Sequence, residues 1–280
     1  MPEIPYDRSY RSLVRPGEAD DFFRFGPIRS DAALCAEMSR LAYVKDKERL
    51  RIYLERADFM LVTAIGYERH GMQVFVATSN DAADPIAVAA FRGTEGDDPT
   101  DLFADVKFWK VRWPGGGKVN DGFRDELESV PEVKDRTNLI PAGARALFTG
   151  HSLGGAFATL AAGLHRPEHL YTFGSPRVGD QEFAMSMQGG SHTRYVDCCD
   201  LVAKVPPRTL LGYEHVGLLH YIDRHGKIEV SPTDDTIDDD QREASSAYDK
   251  YAVLRGNVPA RTLADHAPIN YVSAVMGVRV

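Results

Sequence analysis

Cysteine is scarce in this sequence. Cys35, Cys198 and Cys199 are the three it has in 280 residues, too few for a disulfide framework, and an adjacent pair is poorly placed to bridge to itself. A reducing compartment is the expectation. Positive charge is also in short supply: 33 Lys and Arg stand against 41 Asp and Glu, for a net charge of −8. No basic stripe stands out, so nucleic acid is not an expected partner. No apolar run approaches the length of a membrane span, and the opening Met1-Pro-Glu-Ile-Pro-Tyr-Asp-Arg8 has neither the basic nor the apolar region of a secretion signal. The expected location is the cytoplasm. The acidic stretch Ser231 to Asp240 lacks the glycine and terminal glutamate of a twelve-residue calcium loop, so it reads as a solvated loop or a helix entry. No metal and no cofactor is expected. Linker-like runs and internal repeats are missing too. With 43% hydrophobic and 26% charged residues, one large α/β domain is the better reading. Residues 1–30 form an irregular arm docking Phe22, Phe23 and Phe25, and residues 31–280 form a single domain.

What the chain does have centres on Gly150-His151-Ser152-Leu153-Gly154, a G-x-S-x-G motif between an apolar strand, Ala144 to Thr149, and a small-residue helix, Leu153 to about His165. A serine at the apex of such a strand-to-helix turn sits in strained backbone. The residues two before and two after it run too close to other main chain to carry a side chain, so both must be glycine. Ser152 is the expected nucleophile, and the first-turn amides of the following helix point back toward it, where they can bind an oxyanion.

The rest of the pattern fits around that turn. Leu34, Met38 and Leu41 share one face of a helix that Ser30 or Asp31 can cap, and a second, charged helix covers Asp46 to Arg56. Phe59 to Tyr67, Met72 to Thr78 and Ile86 to Phe91 read as strands joined by hairpins. Strands at Leu170 to Phe173 and Thr193 to Val196, with a helix between, complete a mostly parallel sheet covered on both faces. Val216 to Asp223 and Lys227 to Val230 read as a closing hairpin.

A serine hydroxyl needs a histidine to take its proton, and a carboxylate to hold that histidine in one tautomer. When the order is serine, acid, histidine, the acid belongs at the end of a later strand. Arg194-Tyr-Val-Asp-Cys-Cys-Asp-Leu-Val202 offers Asp197 and Asp200, and spacing does not separate them. Of the histidines that follow, His220 lies in an alternating strand and His225 in a turn, which leaves His215 and His266.

The sequence resembles the class 3 lipases, the fungal-lipase-like branch of the α/β-hydrolases, from about Asp31 to Val272. The likeness rests on Leu34-Cys-Ala-Glu-Met-Ser-Arg-Leu-Ala-Tyr43, Ala90-Phe-Arg-Gly-Thr94, Gly150-His-Ser-Leu-Gly-Gly-Ala156 and Thr172-Phe-Gly-Ser-Pro-Arg-Val-Gly179. It continues in Asp200-Leu-Val-Ala-Lys-Val-Pro-Pro207, Gly212-Tyr-Glu-His-Val-Gly217 and Asp265-His266. The resemblance implies an α/β-hydrolase fold and a Ser152, Asp200 and His266 triad, with His215 outside it. It also implies an oxyanion hole from Thr94 and Leu153. The implied activity is that of a lipase cleaving acylglycerol esters through an acyl-serine. A phospholipase A-type enzyme or a short-chain or aryl (feruloyl-like) esterase is the alternative, and a non-catalytic lipid-binding module is disfavoured because all three triad residues are present.

Between Thr94 and Gly122, helical spacing places Leu102, Phe103, Val106 and Trp109 on one apolar stripe. Periodicity alone fits a helix packed on the core equally well. The resemblance implies a movable lid at about residues 95–113 that covers the site in water and meets a lipid interface when open, with hinges at Gly96 and Gly115 to Gly117. The expected partners are therefore a lipid or other ester substrate and, transiently, a lipid surface.

Overall fold

Strands that are apolar on both faces must be covered on both faces, and the central strands of this chain are of that kind. In the computed structural model, which describes residues 2–26, 28, 30–67, 71–93 and 109–280, Ile86–Phe91 and Arg145–His151 are buried along almost their whole length. They lie at the middle of an eight-stranded sheet. With β1 Phe59–Ile65, β2 Val74–Ser79, β3 Ile86–Phe91, β4 Lys110–Arg112, β5 Lys118–Asn120, β6 Arg145–His151, β7 His169–Phe173, β8 Ser191–Asp197, β9 Leu218–Ile222 and β10 Ile228–Val230, the order is β1-β2-β3-β6-β7-β8-β9-β10. Strands β3, β6, β7, β8 and β9 run parallel, and β1, β2 and β10 add antiparallel edges. This is the mostly parallel α/β sheet expected.

Helices Leu153–His165 and Asp121–Glu128 cover one face, where Phe148, Phe157, Leu160 and Leu127 pack together. Helices Asp31–Leu41, Lys47–Arg56 and Pro268–Val275 cover the other, burying Leu34, Met38, Leu54 and Tyr271 against Phe75, Leu147 and Phe173. Ser30 caps the first of these helices and Asp46 the second through side-chain bonds to backbone N–H groups. The N-terminal arm is less irregular than expected, with a helix at Tyr10–Val14 and a 3-10 turn that buries Phe22 and Phe23. Its start is tied to the chain's end, Ile4 N–H to the Val278 carbonyl at 2.7 Å and Tyr6 N–H to that of Val280 at 2.9 Å.

Of the two readings of the acidic stretch the structure has the second, and two other sequence expectations need correcting. The acidic stretch is a helix entry: Asp234–Ala252 is a 19-residue helix capped by Thr233, with Asp234 and Asp235 in its first turn. Carboxylates there complement the helix dipole, and Asp240, Ala244 and Tyr248, at four-residue spacing, form its buried stripe. Gly115 to Gly117 turn the β4–β5 hairpin, where the Trp113 N–H donates to the Gly117 carbonyl at 3.0 Å. They belong to a turn and not to a hinge. Trp109 is not on a helical stripe; it directly precedes β4, with its side chain 75% exposed. Pairing of Val111 with Val119 draws this end of the span into a ribbon, and Trp113 is buried edge-on against Phe183. Leu102, Phe103, Val106 and Gly96 lie outside the described residues.

Candidate active site

The turn after β6 holds Ser152 at φ +57° and ψ −131°, a region costly for any residue with a Cβ. The sharpness follows from its neighbours. A Cβ on Gly150 would collide with the Gly154 carbonyl, and one on Gly154 with the Phe91 carbonyl and the Gly93 nitrogen. The Ser152 N–H donates to the Phe173 carbonyl at 2.9 Å, which fixes the apex against β7.

Opposite the apex, the loop before helix Pro268–Val275 brings in His266. Its Nε2 lies 2.9 Å from Ser152 Oγ, and its Nδ1 lies 3.0 and 2.9 Å from the two Asp200 oxygens. Facing a carboxylate, Nδ1 carries the proton, which leaves the Nε2 lone pair for the serine hydroxyl. Asp200 is itself held: it accepts the Val202 N–H at 2.8 Å through Oδ1 and the Tyr271 hydroxyl at 2.6 Å through Oδ2. The same hydroxyl accepts the Asp197 N–H at 2.9 Å, so one phenol oxygen ties the carboxylate to the end of β8. Gly174, at φ +57°, makes room for this group, because a Cβ there would run into Asp200, Tyr271 and His266.

A second histidine braces the first. His151 Nε2 lies 2.8 Å from the His266 backbone carbonyl, and its Nδ1 lies 2.9 Å from the Tyr43 hydroxyl. A carbonyl can only accept, so Nε2 carries the proton and Nδ1 receives that of Tyr43. Burial, reinforced by the neighbouring His266, holds His151 well below the usual imidazole range, so it stays neutral.

A serine, a histidine and an aspartate in hydrogen-bonded series on a strained strand-to-helix turn invite comparison with known hydrolases. The family model for lipase (class 3) matches residues 88–210, a span that includes the elbow and the Asp200 loop. Over that span the chain is similar to the class 3 lipases.

Its relatives agree. A secreted mono- and diacylglycerol lipase of Fusarium solani is 30% identical over 192 residues, covering 61% of this chain and 53% of that one. A triacylglycerol lipase of Arabidopsis thaliana is 28% identical over 252 residues, covering 68% of this chain and 48% of its own. The chain thus spans about half the length of these curated relatives. Among solved structures, lipase II of Rhizopus niveus matches with a TM-score of 0.54 at 26% identity, over 68% of this chain and 77% of that one. Another, at 28% identity and a TM-score of 0.53, covers 68% of this chain and 77% of that chain; it is a triacylglycerol lipase whose catalytic centre is a serine-protease triad.

Within this class 3 lipase fold, the two aspartates that spacing left open occupy different places. Asp197 is fully buried and paired bidentately with Arg279, the penultimate residue of this sequence, while Asp200 faces His266. Burial raises the Asp197 carboxyl and Arg279 opposes the rise. His215 is far from the elbow in its bonding, with Nε2 2.8 Å from the Ala203 carbonyl. His220 packs edge-on against Tyr195, and His225 sits in the β9–β10 turn. Leu153 is the first residue of its helix, where N–H groups have no intrahelical acceptor. Thr94 lies outside the described residues, but Gly93 before it abuts the elbow: a Cβ on Gly93 would stand 3.3 Å from that of Ser152. Tyr271, His151, Tyr43 and Gly174 were not singled out as site residues in the sequence. Tyr271 follows His266 by five positions on the next helix, a spacing with no motif to mark it.

Proposed function

We propose that the protein is a serine carboxylic-ester hydrolase acting on acylglycerols. The observation that carries this reading is the series of bonds from Ser152 Oγ through His266 to Asp200, with a lone pair on Nε2 and a carboxylate behind Nδ1. Ser152 Oγ attacks the ester carbonyl as His266 Nε2 takes its proton. The carbonyl oxygen becomes an oxyanion, bound by the Leu153 N–H and by Thr94, and Asp200 stabilises the imidazolium without accepting its proton. The oxyanion collapses, His266 returns the proton to the leaving alkoxide, and an alcohol departs from an acyl-serine. Water, deprotonated by the same nitrogen, then releases the carboxylic acid and restores the serine. No metal or cofactor enters these steps.

The class 3 lipase relatives named for tri-, di- and monoacylglycerols support the substrate class. Exposed Trp109, at the edge of the span where a lid was expected, supports contact with a lipid surface, because an indole left in water gains by entering an apolar interface. A panel of glycerol and aryl esters of graded acyl length, assayed below and above aggregation, tests the reading. It requires hydrolysis of long-chain acylglycerols that rises once they aggregate. Cleavage confined to soluble short-chain or aryl esters would replace it with an esterase, and no cleavage of any ester would sink it.

A further inference from the structure

Asp265 stands beside the base in the chain and Cys199 beside the acid, and these two neighbours are bonded as well: Asp265 Oδ2 accepts the Cys199 N–H at 2.9 Å. The loops that carry His266 and Asp200 are therefore joined by two rungs, and the second takes no part in proton transfer. Asp265 is fully buried, and its charge is met from two further places. Arg261 Nε lies 2.9 and 3.0 Å from its two oxygens, and the Tyr6 hydroxyl donates to Oδ1 at 2.6 Å. Burial and the Asp265 charge raise the Tyr6 phenol well above its usual range, so it stays a neutral donor.

Tyr6 belongs to the N-terminal arm and is itself held firmly. The guanidinium groups of Arg261, Arg8 and Arg279 lie 4.5, 4.9 and 5.3 Å from the centre of its ring. One residue on, the Asp7 N–H donates to Asn270 Oδ1 at 2.9 Å, and Asn270 Nδ2 donates to the Asp7 carbonyl at 2.7 Å. Asn270 Nδ2 also donates to the Ala264 carbonyl at 2.9 Å, so the arm reaches the loop of the base twice. A buried ion pair is seldom worth more to stability than apolar groups of the same size. What the directed bonds on Asp265 add is a fixed separation between two loops, and a reaction that runs through aligned groups loses rate steeply when such a separation drifts.

We propose that Asp265, locked by Tyr6 of the N-terminal arm, is a positioning residue for the triad, holding the Asp200 and His266 loops at the spacing that proton transfer from Ser152 needs. This role rests on the reading of Ser152, His266 and Asp200 as a working triad.

Tyr6→Phe in the full chain tests it, with Ser9→Ala as the comparison. Ser9 caps the helix Tyr10–Val14 of the same arm through a side-chain bond to the Ser12 N–H, so its loss loosens the arm without touching Asp265. On a soluble ester, well below the Tm of each protein, Tyr6→Phe should lower kcat about tenfold with KM unchanged, because the phenol bonds a buried charge and meets no substrate. Ser9→Ala should lower Tm and keep the wild-type kcat. The proton NMR signal of the His266 Nδ1–H, held far downfield by Asp200, reads the same spacing without substrate. It should shift in Tyr6→Phe and stay in place in Ser9→Ala. If wild type cleaves no ester, the proposed function fails, and this signal still decides the brace. An unchanged kcat, a loss carried by KM or an unmoved signal in Tyr6→Phe would overturn the proposal. An equal loss of kcat in Ser9→Ala would also overturn it, since the arm would then act through stability alone. Should Tyr6→Phe not fold, Arg261→Lys, which keeps the charge but removes Nε, must show the same fall in kcat and the same shift, and the wild-type values there would refute the role of Asp265.

Discussion

Replacing Tyr271 with phenylalanine removes a single oxygen from a fully buried position. That oxygen donates to Asp200 over 2.6 Å and accepts the Asp197 N–H over 2.9 Å. Burial and the charges of Asp200 and Asp197 raise the phenol well above its usual range, so it is a neutral donor at neutral pH. A hydrogen bond to a charged group contributes about 1.5–3 kcal/mol, and a buried N–H left without a partner costs about 1–3 kcal/mol. Partial relaxation brings the expected loss of stability to about 3 kcal/mol. Catalysis should suffer less. Asp200 keeps the Val202 N–H and both contacts to His266, so turnover should fall about tenfold, equivalent to about 1.4 kcal/mol of transition-state stabilisation. Urea unfolding and separate kcat and KM values on a soluble ester read the two effects. Stability within about 0.5 kcal/mol of wild type, together with unchanged kcat, would refute the idea that Tyr271 positions the acid.

Asp200→Asn should reduce turnover by roughly four orders of magnitude, as loss of the corresponding acid does in the Ser-His-Asp template. Asp197→Asn should instead act on stability, about 3–5 kcal/mol, by leaving Arg279 buried without its partner; kinetics and unfolding of the two variants separate these roles. His215 is held well below its usual range by burial and by Arg194 and Arg177, so the unfolded chain binds its proton first. Stability from this group is full above about pH 6.5 and falls by up to about 1.4 kcal/mol per unit as pH drops below that value. Asp197, raised to about 7, runs the opposite way, so the test is the difference between wild type and His215→Gln at pH 7.5 and 5.5. That difference must shift in the variant's favour at the lower pH. Trp109→Ser removes about 150 Å² or more of exposed indole, about 4 kcal/mol at most if all of it enters lipid. Vesicle binding and activity on aggregated long-chain esters should drop at least tenfold while soluble short-chain activity persists.

The sheet and its covering helices were legible because both periodicities and caps are local signals. Ile86–Phe91 is a continuous apolar run, and Ser30 and Asp46 stand where helix caps belong. The elbow was legible because backbone crowding leaves no alternative to glycine at positions 150 and 154. The choice of Asp200 over Asp197 was not legible from spacing, since it turns on Arg279, 82 residues further on. The Thr233 cap and the stripe of Asp240, Ala244 and Tyr248 identify the helix behind the acidic run, but six acidic residues within Asp234 to Glu243 obscured it. Tyr271 and His151 act through bonds whose partners are distant in sequence, and no spacing rule reports those.

The central claim is that Ser152 is an activated nucleophile, and covalent labelling tests it most directly. Incubation with an alkyl organophosphonate followed by peptide mass analysis should place one phosphonyl group on Ser152, with loss of ester hydrolysis in step. Labelling should vanish in Ser152→Ala and slow by orders of magnitude in folded His266→Ala, because Nε2, 2.9 Å from the hydroxyl, is what takes the proton. A wild-type protein that stays unlabelled, or one labelled at the same rate after His266 is replaced, would contradict the account.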